Sequence, residues 1–114
     1  MKRDFKIYVQ DILEAIRRID EYLEGLTCEE FTKDNKTADA IMRNFAVIGE
    51  AVKKIPDNVK KKHREIPWKR MAGMRDKLIH EYFGVDLQIL WDTAKIDLPA
   101  AKPALEKLLA EMDK

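Results

Sequence analysis

The 114-residue chain is 46% hydrophobic and 38% charged, with four glycines, four prolines and a single cysteine. This composition is typical of a compact helical domain, and one cysteine excludes an intramolecular disulfide and a thiolate metal cluster. No apolar run approaches the roughly 20 residues that span a bilayer, and the first residues lack the apolar stretch of a secretory signal. We therefore expect one cytoplasmic domain over residues 1–114 that does not associate with membranes.

The formal net charge of +1 conceals an uneven distribution along the sequence. Residues 53–77 contain ten basic and three acidic residues, a net charge of +7, so the remainder of the chain carries −6. A basic segment of this size can attract a polyanion such as a nucleic acid. The same charges can also form the solvated face of an ordinary helix and loop, and the distribution alone does not decide between the two.

The first predicted element is an amphipathic helix over about residues 2–26, because apolar residues recur there at helical spacing. Its stripe comprises Phe5, Val9, Ile12, Ile16, Ile19, Leu23 and Leu26. Thr27 and Glu30 have the spacing of a capping box, which predicts the start of a short helical turn. Residues 31–36 are interpreted as a polar connector.

A second helix is predicted from about Thr37 to Lys54, where Pro56 stops it. Its core stripe comprises Ile41, Phe45, Ile48 and Val52. A short basic segment of one or two helical turns follows. A third helix should then begin at about Pro67 and end at Gly84, since proline is favoured in a first turn and glycine after a last one.

Asp86 is a suitable N-cap for a further helix over about residues 87–95. The last helix carries a stripe that includes Leu105 and Leu108, and it begins either near Asp97, with a kink at Pro103, or near Lys102. The sequence shows neither strand-like alternation nor an internal repeat. The expected fold is an all-α, up-and-down bundle of about four helices plus a short helix.

The third predicted helix contains Arg75 and, five residues later, His80. A guanidinium is a permanent planar cation that can hold a phosphate through two hydrogen bonds. An imidazole ionises near neutral pH and can take or give a proton. Together they can hold a phosphodiester and deprotonate the neighbouring 2′-hydroxyl without a metal. The spacing alone is a weak signal, because a solvated arginine and a hydrogen-bonded histidine on one helix also produce it.

Arg75 and His80 are about 140° apart on a helical wheel, at roughly 100° per residue. One helix therefore does not direct both side chains at one atom from a single stripe. The long arginine stem can bridge the gap, and a second copy of the motif from a partner chain would help. This geometry favours a homodimer.

Asp76 lies one turn from His80 on the same face and can orient it, although its negative charge would lie near the phosphate.

Residues 75–82 resemble the Arg-X4-His-X-Tyr motif of the HepT-like branch of the HEPN superfamily. The similarity extends from the first helix to about Leu109 and includes residues 43–51, 66–68 and 97–99. It implies a HEPN-like, homodimeric bundle with metal-independent endoribonuclease activity and no cofactor. It also implies that the chain is the toxin of a type VII-like HEPN/MNT toxin–antitoxin pair.

The resemblance also implies roles for individual residues. His80 would act as general base or general acid, and Arg75 would hold the scissile phosphate and stabilise its developing charge. Tyr82 would accept AMP from a small nucleotidyltransferase, the antitoxin, and the added anion would exclude RNA by sterics and charge repulsion. Weaker candidates for contacts with the RNA substrate are Lys69, Arg70, Lys77, Arg43 and Asn44.

Two other interpretations fit the same sequence. In the first, the bundle is a non-catalytic subunit that binds a nucleotidyltransferase or a nucleotide, and the motif forms only an anion-binding cleft. In the second, the chain is a structural dimer that binds neither. The sequence has no set of residues spaced as metal ligands and no phosphate-cradling glycine loop, so neither a bound metal nor bound ATP is expected.

Overall fold

The computed structural model describes residues 5–73 and 86–112, and these residues form helices joined by short loops. In chain order the helices are α1 (Lys6–Leu23), α2 (Cys28–Thr32), α3 (Asn35–Lys53), α4 (Asp57–Lys62), α5 (described over residues 68–73), α6 (Leu87–Asp92) and α7 (Leu98–Met112). The described residues contain no β-strand, and the predicted all-α class is confirmed. No helix within these two ranges has the length and apolar character that crossing a membrane requires.

Helices α1 and α3 pack along their length at the centre of the bundle, and α7 packs on α1. The predicted apolar stripes are buried in this seam: Val9, Ile12, Ile16, Ile19 and Leu23 in α1, and Ile41, Phe45, Ile48 and Val52 in α3. Complete burial of one large aliphatic side chain contributes about 1.5–3 kcal/mol. The seam between α1 and α3 is therefore a principal source of the stability of the bundle.

The end of α1 and the start of α2 are set by a glycine and a capping box. Gly25 adopts a left-handed backbone with φ of 80°, a conformation that glycine reaches without steric cost. The Thr27 hydroxyl then accepts a hydrogen bond from the Glu30 N–H at 3.1 Å. In return, the Glu30 carboxylate accepts one from the Thr27 N–H at 2.9 Å. The predicted capping box is confirmed.

The connector predicted over residues 31–36 is wrong at both of its ends. Phe31 belongs to α2 and is fully buried, and its ring packs against Trp91 with centroids 5.6 Å apart. Helix α3 starts two residues earlier than predicted, because Asp34 caps it by accepting the Thr37 N–H at 3.0 Å. Hydrogen bonds from the Thr37 hydroxyl and the Thr37 N–H hold the pKa of the Asp34 carboxyl below its ordinary value.

The C-terminal third of the chain departs from the prediction in one respect. Asp86 caps α6 as expected, since its carboxylate accepts from the Gln88 N–H at 2.8 Å. The break expected after Lys95 is absent from residues 86–112, where a π-helical segment, Thr93–Asp97, joins α6 directly to α7. A proline ring crowds the carbonyl four residues before it, here that of Lys95 for Pro99. The Leu98 N–H donates to the Thr93 carbonyl oxygen five residues back, and this wider π turn leads directly into α7, in which Pro99 is the second residue.

Candidate functional site

The predicted catalytic motif lies outside the residues that the structure describes. Arg75, Asp76, Lys77, His80 and Tyr82 all fall within residues 74–85. The described chain stops before them at residue 73 of α5 and resumes after them at residue 86. Their roles stay predictions, and the geometry available for the site is that of the elements on either side.

Helices α4 and α5 are joined by a tight turn that is anchored to the core. The indole N–H of Trp68 donates to the carbonyl oxygen of His63 at 3.0 Å, and the Ile66 N–H donates to the same oxygen at 3.1 Å. Trp68 is 7% exposed and Ile66 is 1% exposed, and both belong to the hydrophobic core. The two hydrogen bonds and the two buried side chains anchor this turn to the hydrophobic core.

A groove of about 610 Å³ lies along this turn, and we call it the α4–α5 groove. Of the residues that the structure describes, three apolar and four basic ones line it: Ile66, Pro67, Trp68, Lys60, Arg64, Lys69 and Arg70. The apolar members are buried or half-buried, whereas Arg64, Lys69 and Arg70 are exposed, so the apolar residues form the floor and the cations form the rim. No acidic residue of the described chain lines the groove.

The positive charge of the α4–α5 groove is only partly compensated. A terminal guanidinium nitrogen of Arg70 lies 3.4 Å from a carboxylate oxygen of Asp97 in the π-helical segment. Lys60, Arg64 and Lys69 form no ion pair with any residue in the described part of the chain. Three cations, of which Arg64 and Lys69 are exposed and Lys60 is half-buried, therefore lie here without a described counter-charge.

The structure brings together two of the four described residues that were expected to contact RNA. Lys69 and Arg70 both line the α4–α5 groove. Arg43 instead lines a separate depression of about 350 Å³ between α1 and α3. Asn44 is 8% exposed, and its side-chain amide donates to the carbonyl oxygen of Ala40 at 2.9 Å. This bond within α3 favours a structural role for Asn44.

Lys60 and Arg64 line the groove but were not singled out from the sequence. Lys60 lies in the last turn of α4, and Arg64 follows it after His63 has left the helical conformation with φ of −129° and ψ of 58°. The backbone angles of the residue at which a helix ends decide the direction that the following chain takes. The basic run over residues 60–64 therefore carries no signal that separates Lys60 and Arg64 from Lys61 and Lys62.

The chain matches known proteins over most of its length. The family model described as Ribonuclease HepT-like matches residues 12–108. The chain is 52% identical over 108 residues to "Probable ribonuclease HepT" of Thermococcus cleftensis, which covers 95% of this chain and 98% of that protein. It is 45% identical over 112 residues to "Putative RNase MJ1216" of Methanocaldococcus jannaschii, which covers 98% and 93%. It is 41% identical over 102 residues to "Putative RNase TTE0752" of Caldanaerobacter subterraneus, which covers 90% and 91%. No solved structure shows significant similarity to it.

Proposed function

The chain belongs to the HepT-like ribonuclease family, and from this membership we propose that it is a metal-independent endoribonuclease with Arg75 and His80 at its active centre. The observation that carries the proposal is the family match over residues 12–108, since that range contains the complete Arg-X4-His-X-Tyr motif. The names of the relatives agree with it, because each of the three above is named as a ribonuclease. The uncompensated cations of the α4–α5 groove add support, because an enzyme that acts on RNA must attract a polyanion.

In the proposed reaction, His80 removes the proton from the 2′-hydroxyl of the nucleotide before the scissile bond. The resulting oxygen attacks the adjacent phosphorus, the bond to the 5′-oxygen breaks, and a protonated imidazole supplies the proton that this oxygen takes up. The products are a 2′,3′-cyclic phosphate and a 5′-hydroxyl. Arg75 holds the non-bridging oxygens and stabilises the charge that builds on them in the transition state. Asp76, four residues before His80 in the sequence, would act as its positioning residue.

The proposal includes a symmetric homodimer as the active form. Two copies of the motif facing each other would bring arginine and histidine to one phosphate from different directions, which a single helix does not do. A dimer of this kind would place the basic segment of each copy beside a shared cleft.

The direct test is cleavage in a chelator. Purified protein incubated with total cellular RNA in excess EDTA should yield fragments that end in a 2′,3′-cyclic phosphate, because the reaction draws its base and its cation from the protein. The same incubation with Mg²⁺ in place of EDTA should give the same fragments at a similar rate. Intact RNA in both mixtures, from protein whose intact mass shows no added group, would refute the nuclease and favour a binding subunit.

We further propose that the activity is that of a toxin and that it is silenced by AMP transfer to Tyr82. The transferred group carries a phosphate and is bulky, so beside Arg75 it would occupy the space of the substrate and repel its backbone. The donor would be a small nucleotidyltransferase acting as antitoxin.

The Tyr82→Phe variant should separate catalysis from its control. It lacks only the acceptor hydroxyl, so we expect it to cleave RNA at close to the wild-type rate. Incubated with ATP and the nucleotidyltransferase from an adjacent reading frame, the wild-type protein should gain the mass of AMP and lose activity. The variant should do neither. Gain of AMP by the variant would show that another residue is the acceptor.

A further inference from the structure

We propose that the α4–α5 groove is an anchoring site for the phosphate backbone of single-stranded RNA, separate from the Arg75 and His80 centre. The identity of the ligand rests on the proposed function, whereas the site itself rests on the described geometry. The groove would hold the substrate through its charge, without reading its bases, and so raise affinity at all sequences alike.

The charges around the groove favour an anionic ligand, and several cations along one groove can contact successive phosphates of a polyanion. Four cations of the described chain line it, three of them have no counter-ion among the described residues, and no described carboxylate lines it. Cations arranged along a groove each neutralise one phosphate of a polyanion and release its condensed counter-ions. The volume of about 610 Å³ lies within the range of sites that hold ligands of nucleotide size or larger.

The floor of the groove explains why bases would not be read there. Binding of a base by stacking requires an accessible aromatic face. Trp68 is the one aromatic residue of the described chain that lines the groove, but it is 7% exposed and its indole N–H is already bound to the His63 carbonyl. Among the described lining residues, none carries a side-chain amide or carboxylate, the groups that pair with adenine and cytosine edges, and the lysines contact phosphates at any sequence.

The position of the groove along the chain connects it to the motif. Lys69 and Arg70 lie in the first turn of α5, and Arg70 precedes Arg75 by five residues. The ion pair of Arg70 with Asp97 ties this end of α5 to the π-helical segment. RNA bound in the groove would therefore lie at the start of the stretch that leads to the catalytic residues.

The test compares two double variants with equal charge. Lys60→Gln/Lys69→Gln removes two positive charges that line the groove, and Lys61→Gln/Lys62→Gln removes two from the same basic segment that do not line it. The probe is a fluorescent 2′-O-methyl oligouridylate of about 12 nucleotides, within the usual site sizes for single strands. Without a free 2′-hydroxyl it is not cleaved, so the measured Kd does not depend on catalysis. Fluorescence anisotropy gives Kd between about 50 and 200 mM KCl.

We expect the groove variant to bind about tenfold more weakly and to lower the slope of log Kd against log salt by about 1.4, because each lost contact to a single strand contributes about 0.7. The control variant should lose less than half as much in both quantities. An oligoadenylate probe should give the same losses, because charge alone is recognised. In cleavage assays the groove variant should raise KM and leave kcat unchanged.

Three results would overturn the inference: no binding of either probe by the wild-type protein, equal losses in the two variants, or a loss confined to one probe. Thermal unfolding of both variants at the wild-type midpoint would confirm that the substitutions leave the fold intact. The two proposals fail separately. If the wild-type protein binds RNA through Lys60 and Lys69 but does not cleave it, the proposed nuclease activity is refuted and the anchoring site is supported. If the wild-type protein cleaves RNA and both double variants bind the probe equally, the anchoring site is refuted and the nuclease activity is supported.

Discussion

Replacing His80 with alanine is expected to lower kcat for RNA cleavage by about 10²- to 10⁴-fold, the usual contribution of a positioned general acid or base. KM should change little, because the imidazole acts on the transferred proton and contributes little to holding the substrate. Single-turnover cleavage of a fluorescent RNA by wild-type and variant protein measures the effect. The assay requires that both proteins unfold at the same temperature, so that loss of structure does not mimic loss of chemistry.

His63 provides the matched control, since the chain has two histidines. Its side chain is 18% exposed and lies 3.8 Å from a carboxylate oxygen of Glu111, at the surface between the α4–α5 turn and α7. The His63→Gln variant should retain the wild-type kcat. An unchanged kcat in His80→Ala, or an equal loss in both histidine variants, would contradict the assignment of His80.

The Arg75→Lys variant adds information about how the phosphate is held. Lysine keeps the positive charge but lacks the planar fork that contacts two oxygens at once. A loss close to that of Arg75→Ala would therefore indicate bidentate binding. Retention of most of the activity would indicate that charge alone is needed at residue 75.

Replacing Phe31 with alanine is expected to lower the free energy of unfolding by about 3–5 kcal/mol, the usual loss for a fully buried phenylalanine. Phe31 is 0% exposed, and its ring packs against Trp91 at the junction of α2 and α6. Because whole domains are stable by only about 5–15 kcal/mol, the variant should unfold at a much lower urea concentration. Urea titration followed by tryptophan fluorescence suits this measurement, since Trp91 adjoins the substituted ring.

Ile89→Ala is the companion variant for this experiment. Ile89 lies in α6 near the same junction in sequence, but it is 46% exposed. Its truncation should change the free energy of unfolding by less than about 0.5 kcal/mol. Similar urea midpoints for Phe31→Ala and the wild-type protein would show that the α2–α6 contact contributes little to the fold.

The parts of the fold that the sequence predicted correctly are those encoded by neighbours along the chain. The α1 stripe follows from spacings of three and four residues, and the capping box of Thr27 and Glu30 spans a single turn. Phe31 was misjudged because its burial depends on Trp91, which is sixty residues away and invisible to any local pattern. The continuous passage from α6 into α7 was missed for a related reason. A proline predicts a break unless the helix widens around it, and the sequence does not show that the helix widens.

The candidate site was likewise predictable from the sequence only in part. Arg75, His80 and Tyr82 were identified from a motif, and they lie outside the described residues, so their geometry stays a prediction. The excess of positive charge over residues 53–77 was evident from composition, but the subset of cations that share one groove was not. That subset depends on the backbone of His63 and on the burial of Trp68, which are properties of the folded chain.

The anchored turn between α4 and α5 has a consequence for the speed of the proposed RNA binding. Since the Trp68 and Ile66 hydrogen bonds hold the floor in place before any ligand arrives, binding requires little ordering of the backbone and loses little entropy there. Encounter is then governed by diffusion in the electric field of the exposed cations, which decays over about 8–10 Å at physiological ionic strength. The association rate, more than any opening motion of the protein, would thus respond to the salt concentration of the surrounding solution.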